Sequence, residues 1–337
     1  MSGDARLPRR RSRRLSGIDA SGLGRRPSLR PTPSLEAAHR SFGGERRLGA
    51  AVPDPAVAIL LGLLQGLTEF FPISSSAHLE VVPWLAGWDL FDGDSELENA
   101  FDVAVHVGTL AGAALFLRAD IARYAAALWR GIRGRAERDT LIAVSLALSA
   151  VPAAVVGVVL EDRLLDLAEQ PLLIAALLAG FGWLLWRSDV AAHRRGAQRP
   201  QDSYRARDAL GMGLAQATAL LPGVSRSGVT ITAGRWLGFD RAAVARLAFL
   251  MSLPLIAGAG VYRFATLGDA APTSTELWLF IVGGLAAAVS SWAGVAAMVW
   301  LLDRTGRRPQ RSPFALFAGY RLALAAAVAV VAISGLR

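Results

Sequence analysis

The chain of 337 residues is 53% hydrophobic and only 19% charged, with a mean hydropathy of +0.39. So little charge cannot cover two or three water-exposed globules, which excludes an ordinary soluble enzyme, and the absence of cysteine excludes disulfides, thiolate nucleophiles and cysteine-based metal sites. The formal charge of +9 is concentrated: residues 1–50 hold 12 Arg against 4 acids, which leaves 24 Arg and 23 acids for the rest. Basicity is thus a property of the tail, and the body shows no nucleic-acid footprint.

The tail, 1–50, is rich in Arg, Ser, Pro and Gly without apolar periodicity and is expected to be disordered. The remainder, 51–337, reads as one all-α, polytopic membrane domain. Residues 56–88 begin as an apolar helix and break at Pro72. An acidic segment follows, with Asp89, Asp92, Asp94, Glu96, Glu98 and Asp102 and no base. A span is expected over 103–117, then an arginine-rich loop over 118–139, a span over 140–160, an acidic loop over 161–169 and a span over 172–187. The segment from Arg187 to Asp208 is arginine-rich, and residues 209–238 break at Pro222. Spans over 242–262, 277–302 and 314–334 complete the chain, separated by the acidic Asp269 and Glu276 and by a basic segment, 303–311. Acidic loops belong outside and arginine-rich loops inside, and each change of sign marks a crossing.

The two segments broken at proline resemble each other. The first reads GLLQGLTEFFPISSSAHL from Gly62 and the second GLAQATALLPGVSRSGVT from Gly213. Each places a Gln three residues after the Gly and ends in serines spaced i, i+2: Ser74 and Ser76, Ser225 and Ser227. Proline removes a backbone donor, and irregular backbone at membrane depth survives only where protein or a water-filled cavity surrounds it. Each segment is therefore expected to be a re-entrant helical hairpin. About six full spans then remain, three after each hairpin, so the copies, about 55–190 and 209–335, are expected to be an inverted repeat with a site between them.

Charged side chains in apolar segments are costly and mark function. Arg226, between Ser225 and Ser227 with Thr230 one turn on, offers a planar fork of donors for phosphate, and the flanking hydroxyls would complete the cradle. The first segment supplies the groups that can move protons: Gln65, Glu69, the run Ser74, Ser75 and Ser76, and His78. Ser74 or Ser75 could attack phosphorus with His78 or Glu69 as base, or Glu69 could hold a divalent cation. His106, four residues after Asp102, is read as structural.

At these positions the chain resembles the bacterial undecaprenyl-diphosphatase family, the bacitracin-resistance proteins. Gln65, Glu69, Pro72, Ser74, Ser75 and His78 match one family motif, and Pro222, Gly223, Ser225, Arg226, Ser227 and Thr230 match the other without a break. The first motif carries Gln65 where a metal site built on two Glu would need a second carboxylate, and the arginine-rich tail has no counterpart in a typical member. The resemblance implies hydrolysis of undecaprenyl diphosphate to the monophosphate and inorganic phosphate, in the bacterial plasma membrane, with the site towards the extracytoplasmic face. It implies catalysis by Ser75, Glu69, His78 and Arg226. Gln65, Ser74, Ser76, Ser225, Ser227 and Thr230 would bind substrate, and Mg²⁺ or Ca²⁺ would be held at Glu69. The expected partners are the polyprenyl diphosphate and membrane lipids, with a homodimer as a candidate assembly and no nucleic acid. Inverted repeats also suit a carrier, so a flippase for an anionic lipid is the alternative.

Overall fold

The computed structural model describes residues 54–334 except 161–162, 165–166, 168–169, 267–271 and 307–311. The tail, Asp269 and most of the loop expected at 161–169 lie outside the described residues. Among the described residues the chain is helical, with no β-strand and only an isolated parallel bridge between Arg199 and Phe239.

Helix α1 (Pro55–Phe70) starts on the Asp54 cap, whose carboxylate accepts from the Ala56 amide at 2.8 Å, with Pro55 in the first turn. It ends because Phe71, which precedes Pro72, is extended. Then follow α2 (Ser75–Ala86), α3 (Ser95–Phe116), α4 (Arg118–Ile132), α5 (Arg138–Leu148) and α6 (Val151–Val159). Beyond the partly described loop come α7 (Pro171–Arg194), α8 (Ala206–Thr218), α9 (Arg226–Trp236), α10 (Arg241–Thr266), α11 (Ser274–Gly306) and α12 (Phe314–Ser334).

Six segments are long and apolar enough to cross a membrane: Glu96–Phe116, Arg138–Val159, Pro171–Arg194, Arg241–Tyr262, Ser274–Thr305 and Phe314–Ser334. These are the six expected spans, the first and third longer by about two turns at one end and the others within three residues at each end, and they make the chain a multi-pass membrane protein. Two details depart from expectation. The second span is two helices, α5 and α6, meeting at Ser149 and Ala150, where Pro152 cannot donate to the preceding turn. The arginine-rich segment 118–139, expected as a loop, is largely the helix α4. Its Tyr124 and Ala127 are buried, whereas Trp129 and Ile132 are exposed.

Packing is closest along α11, against which both α1 and α3 lie. A Cβ on Gly62 or Gly66 would come within 2.1 or 2.2 Å of the carbonyl oxygens of Gly283 or Ala287. On the other side of α11, one on Gly108 or Gly112 would come within 2.0 Å of those of Gly284 or Ala288. Each pair is a G-x-x-x-G step, which lets two backbones touch where apolar surroundings give helices little other reason to associate. α12 packs on α7, and α7 on α9. A buried ionic cluster ties α7, α9 and α10: Asp189 accepts from Arg235 at 2.8 Å and from both Nε and Nη2 of Arg241 at 2.9 and 2.8 Å.

Candidate active site

The two segments broken at proline build the site. After α1 the chain turns through Phe71, Pro72 and Ile73, and α2 begins at Ser75 with Ser74 as its cap. After α8 it turns through Pro222 and Gly223, and α9 begins at Arg226 with Ser225 as its cap. Both capping serines have positive φ, 74° for Ser74 and 69° for Ser225, a left-handed conformation costing about 1–2 kcal/mol outside glycine. Their hydroxyls match too: Ser74 bonds Ser76 at 3.2 Å and Ser225 bonds Ser227 at 3.4 Å. The sequence similarity of the two segments thus extends to their backbone.

Glu69, in the last turn of α1, is the hub. Its Oε1 accepts from Arg226 Nη2 at 2.6 Å, joining the two segments across 157 positions of chain. Its Oε2 accepts from Ser75 Oγ at 2.6 Å and from Gln65 Nε2 at 3.1 Å. The carboxylate is buried and the Arg226 side chain is 21% exposed, so the guanidinium reaches the surface while its partner does not. A carboxylate accepting a serine hydroxyl proton is placed to take that proton. Among the described residues Glu69 is the side chain that Arg226 bonds, through Nη2 alone, and the rest of the guanidinium fork suits phosphate oxygens.

Not every expected residue faces this hub. His78 is buried and bonds away from Ser75, through Nδ1 to the Ser74 carbonyl at 2.7 Å and through Nε2 to the Tyr320 hydroxyl at 2.5 Å. Ser227 donates to the Phe71 carbonyl at 3.1 Å, fastening the second turn to the first. The Ser225 hydroxyl accepts from the Gly228 amide at 3.2 Å. The Thr230 hydroxyl turns back on its own helix, to the Arg226 carbonyl at 2.8 Å. Ser76 is exposed. His106 Nδ1 lies 2.7 Å from the Asp102 carbonyl, and the ring stands within electrostatic range of Glu69.

The sequence marks α12 as a span, but its Arg321 is not among the residues expected at the site. Arg321 is completely buried, and its donors end on main-chain carbonyls: Pro72 at 3.3 Å, Gly223 at 2.6 Å, Val224 at 3.0 Å and Leu178 at 3.1 Å. One side chain therefore staples both turns to α7. The signal was a lone ionisable residue in the middle of an apolar span.

Comparison with known proteins gives the family. The family described as bacitracin resistance protein BacA matches residues 58–327. An undecaprenyl-diphosphatase of Geobacter metallireducens is 40% identical over 277 residues, 82% of this chain and 97% of that one. Its counterpart in Geobacter sulfurreducens is 41% identical over 273 residues, 80% of this chain and 96% of that one. The undecaprenyl-diphosphatase 2 of Stutzerimonas stutzeri is 40% identical over 277 residues, 81% and 96% of the two chains. The match spans both broken segments, five of the six apolar helices and most of the sixth, and on that extent the chain belongs to the bacitracin resistance protein BacA family.

Proposed function

We propose that this protein hydrolyses undecaprenyl diphosphate to undecaprenyl phosphate and inorganic phosphate, recycling the lipid carrier for cell-wall synthesis. The observation that carries the reading is the buried Glu69 carboxylate, holding the Ser75 hydroxyl on one oxygen and Arg226 on the other, both at 2.6 Å. The names of the relatives point to the same reaction.

In this reading the terminal phosphate docks on Arg226 beside the starts of α2 and α9. Ser75 Oγ gives its proton to Glu69 as it bonds the terminal phosphorus. The bond from that phosphorus to the bridging oxygen breaks, and the lipid monophosphate leaves with the electron pair and takes the proton from Glu69. Glu69 then accepts a proton from water as the water oxygen attacks the phosphoserine, and returns it to Ser75 Oγ as inorganic phosphate departs. Glu69 rather than His78 is the base for Ser75, because Glu69 is the group that Ser75 touches.

A divalent cation, Mg²⁺ or Ca²⁺, fits as a companion of the substrate. Gln65 Oε1 is buried without a hydrogen-bond partner, so it and Glu69 would hold such an ion. The described residues contain no group of three or more His, Cys, Asp or Glu placed to hold a metal, so phosphate oxygens would supply most of its ligands and the ion would neutralise their charge. The segments α1–α2 and α8–α9 are read as re-entrant hairpins of an inverted repeat, supported by their matched serine caps. The site is read as opening on the extracytoplasmic side of the plasma membrane, supported by the acidic segment 89–102 that follows α2.

Phosphate release from undecaprenyl diphosphate by purified protein in detergent tests the reaction. Wild type should turn over, Ser75→Ala should not, and Glu69→Gln should be slower by about 100-fold or more. A folded, substrate-binding protein that releases no phosphate would instead be a carrier for the lipid.

A further inference from the structure

Both nitrogens of His78 are engaged, and the partner of each is defined. Nδ1 lies 2.7 Å from the Ser74 carbonyl, which can only accept, so Nδ1 carries a proton. In the neutral ring Nε2 is then an acceptor, and the Tyr320 hydroxyl, 2.5 Å away, donates to it. The two rings lie parallel, with an interplanar angle of 8° and centroids 5.5 Å apart. Tyr320 is thereby the group that fixes both the rotation of the imidazole and the occupancy of its basic nitrogen. It belongs to neither motif and lies 242 positions from His78 in the chain.

The next residue, Arg321, holds the turns at Pro72 and at Gly223 and Val224, so the backbone carrying Tyr320 is anchored to the same two turns that present Ser75 and Arg226. A phenol on a freely moving helix could not hold a short bond to a buried imidazole. His78 is 4% exposed and Tyr320 is 44% exposed, so the pair runs from the interior of the site to its surface.

We propose that Tyr320 is a positioning residue of the reaction, acting through the imidazole of His78. The inference rests on the hydrolytic reading above, in which Ser75 attacks phosphorus; His78 meets that machinery through the carbonyl of Ser74, the residue before Ser75, and not through Ser75 itself. Tyr320 keeps Nε2 as a hydrogen-bonded acceptor and keeps the Nδ1–H donating to the carbonyl of Ser74, which caps α2 one position before Ser75.

The test compares Tyr320→Phe, which removes one oxygen and keeps the ring, with wild type and with His78→Ala, in phosphate release from undecaprenyl diphosphate. Tyr320→Phe should lower kcat by about tenfold and leave KM within about twofold. In the His78→Ala background the same substitution should change kcat by less than about twofold, because the residue through which it acts is gone. The ¹⁵N resonance of His78 Nε2, assigned by its loss in His78→Ala, should move in Tyr320→Phe. An unchanged kcat, an equal loss in both backgrounds, a rise confined to KM or an unmoved Nε2 resonance would each overturn the assignment. If wild type itself released no phosphate, the hydrolytic reading would fall, and the ¹⁵N shift would separately decide whether Tyr320 governs His78.

Discussion

Ser74 and Ser225 hold left-handed backbone angles that serine disfavours, and they do so at the two positions from which the site helices start. The strain is retained because each turn is fixed from outside, by Arg321 and, for the first turn, by the Ser227 hydroxyl on the Phe71 carbonyl. Ser74 makes no side-chain cap bond, and its hydroxyl reaches only Ser76. Ser74→Gly should therefore unfold at or above the wild-type temperature, since relief of about 1–2 kcal/mol offsets one lost hydrogen bond to a partly exposed partner, while Ser74→Val should unfold below it. Thermal unfolding of the purified variants in detergent gives the sign. At this scale the sequence was legible where chemistry is written in side chains: Glu69, Ser75 and Arg226 stand together as the motifs imply. Arg321 was legible only as a charge inside an apolar span, because its partners are main-chain carbonyls, which leave no mark in the sequence. The direction of His78 was not legible, since Tyr320 lies in another helix and in no recognisable spacing with it.

Among the elements, α11 is the post on which α1 and α3 lean, and the contact is backbone to backbone. Any side chain at Gly112 meets the Ala288 carbonyl, and the helix cannot retreat without also opening the step at Gly108. Gly112→Leu should then abolish well-folded protein or lower its unfolding temperature sharply. Gly180→Ala is the control, for a Cβ there meets nothing within 4 Å and a helical Gly→Ala change is worth about 0.5–1 kcal/mol in favour of folding. Equal effects of the two substitutions on thermal unfolding would refute the close-approach account. The spans themselves were readable from apolar length, because lipid demands about 20 apolar residues whatever packs against them. The helix α4 was hidden by its own composition: six Arg in 118–139 read as loop charge, while the buried stripe of Tyr124 and Ala127 is too narrow to stand out against them.

At the scale of the whole molecule, the site joins parts of the chain that are far apart in sequence. Glu69, Arg226 and Arg321 come from its beginning, middle and end, and each is bonded to one of the others or to that residue's turn. The family match starts at residue 58, beyond the arginine-rich tail, and no residue of the site precedes Gln65. A protein lacking residues 1–50 should accordingly release phosphate at the wild-type rate, as an assay of the truncated and full chains side by side would show. A further consequence lies in the Glu69–Arg226 pair, with its oxygen and nitrogen 2.6 Å apart. Before any ligand arrives, an anion already sits on the arginine, and it is tethered there by the fold. On the proposed reading, in which Arg226 receives the phosphate, a small soluble phosphate would have to compete with a rival at fixed and high local concentration. A diphosphate attached to a long hydrocarbon meets the same rival but brings with it the free energy of placing that hydrocarbon among apolar helices. Discrimination against the abundant phosphates of the surrounding water thus needs no pocket shaped to reject them; an internal competitor and a greasy chain together accomplish it.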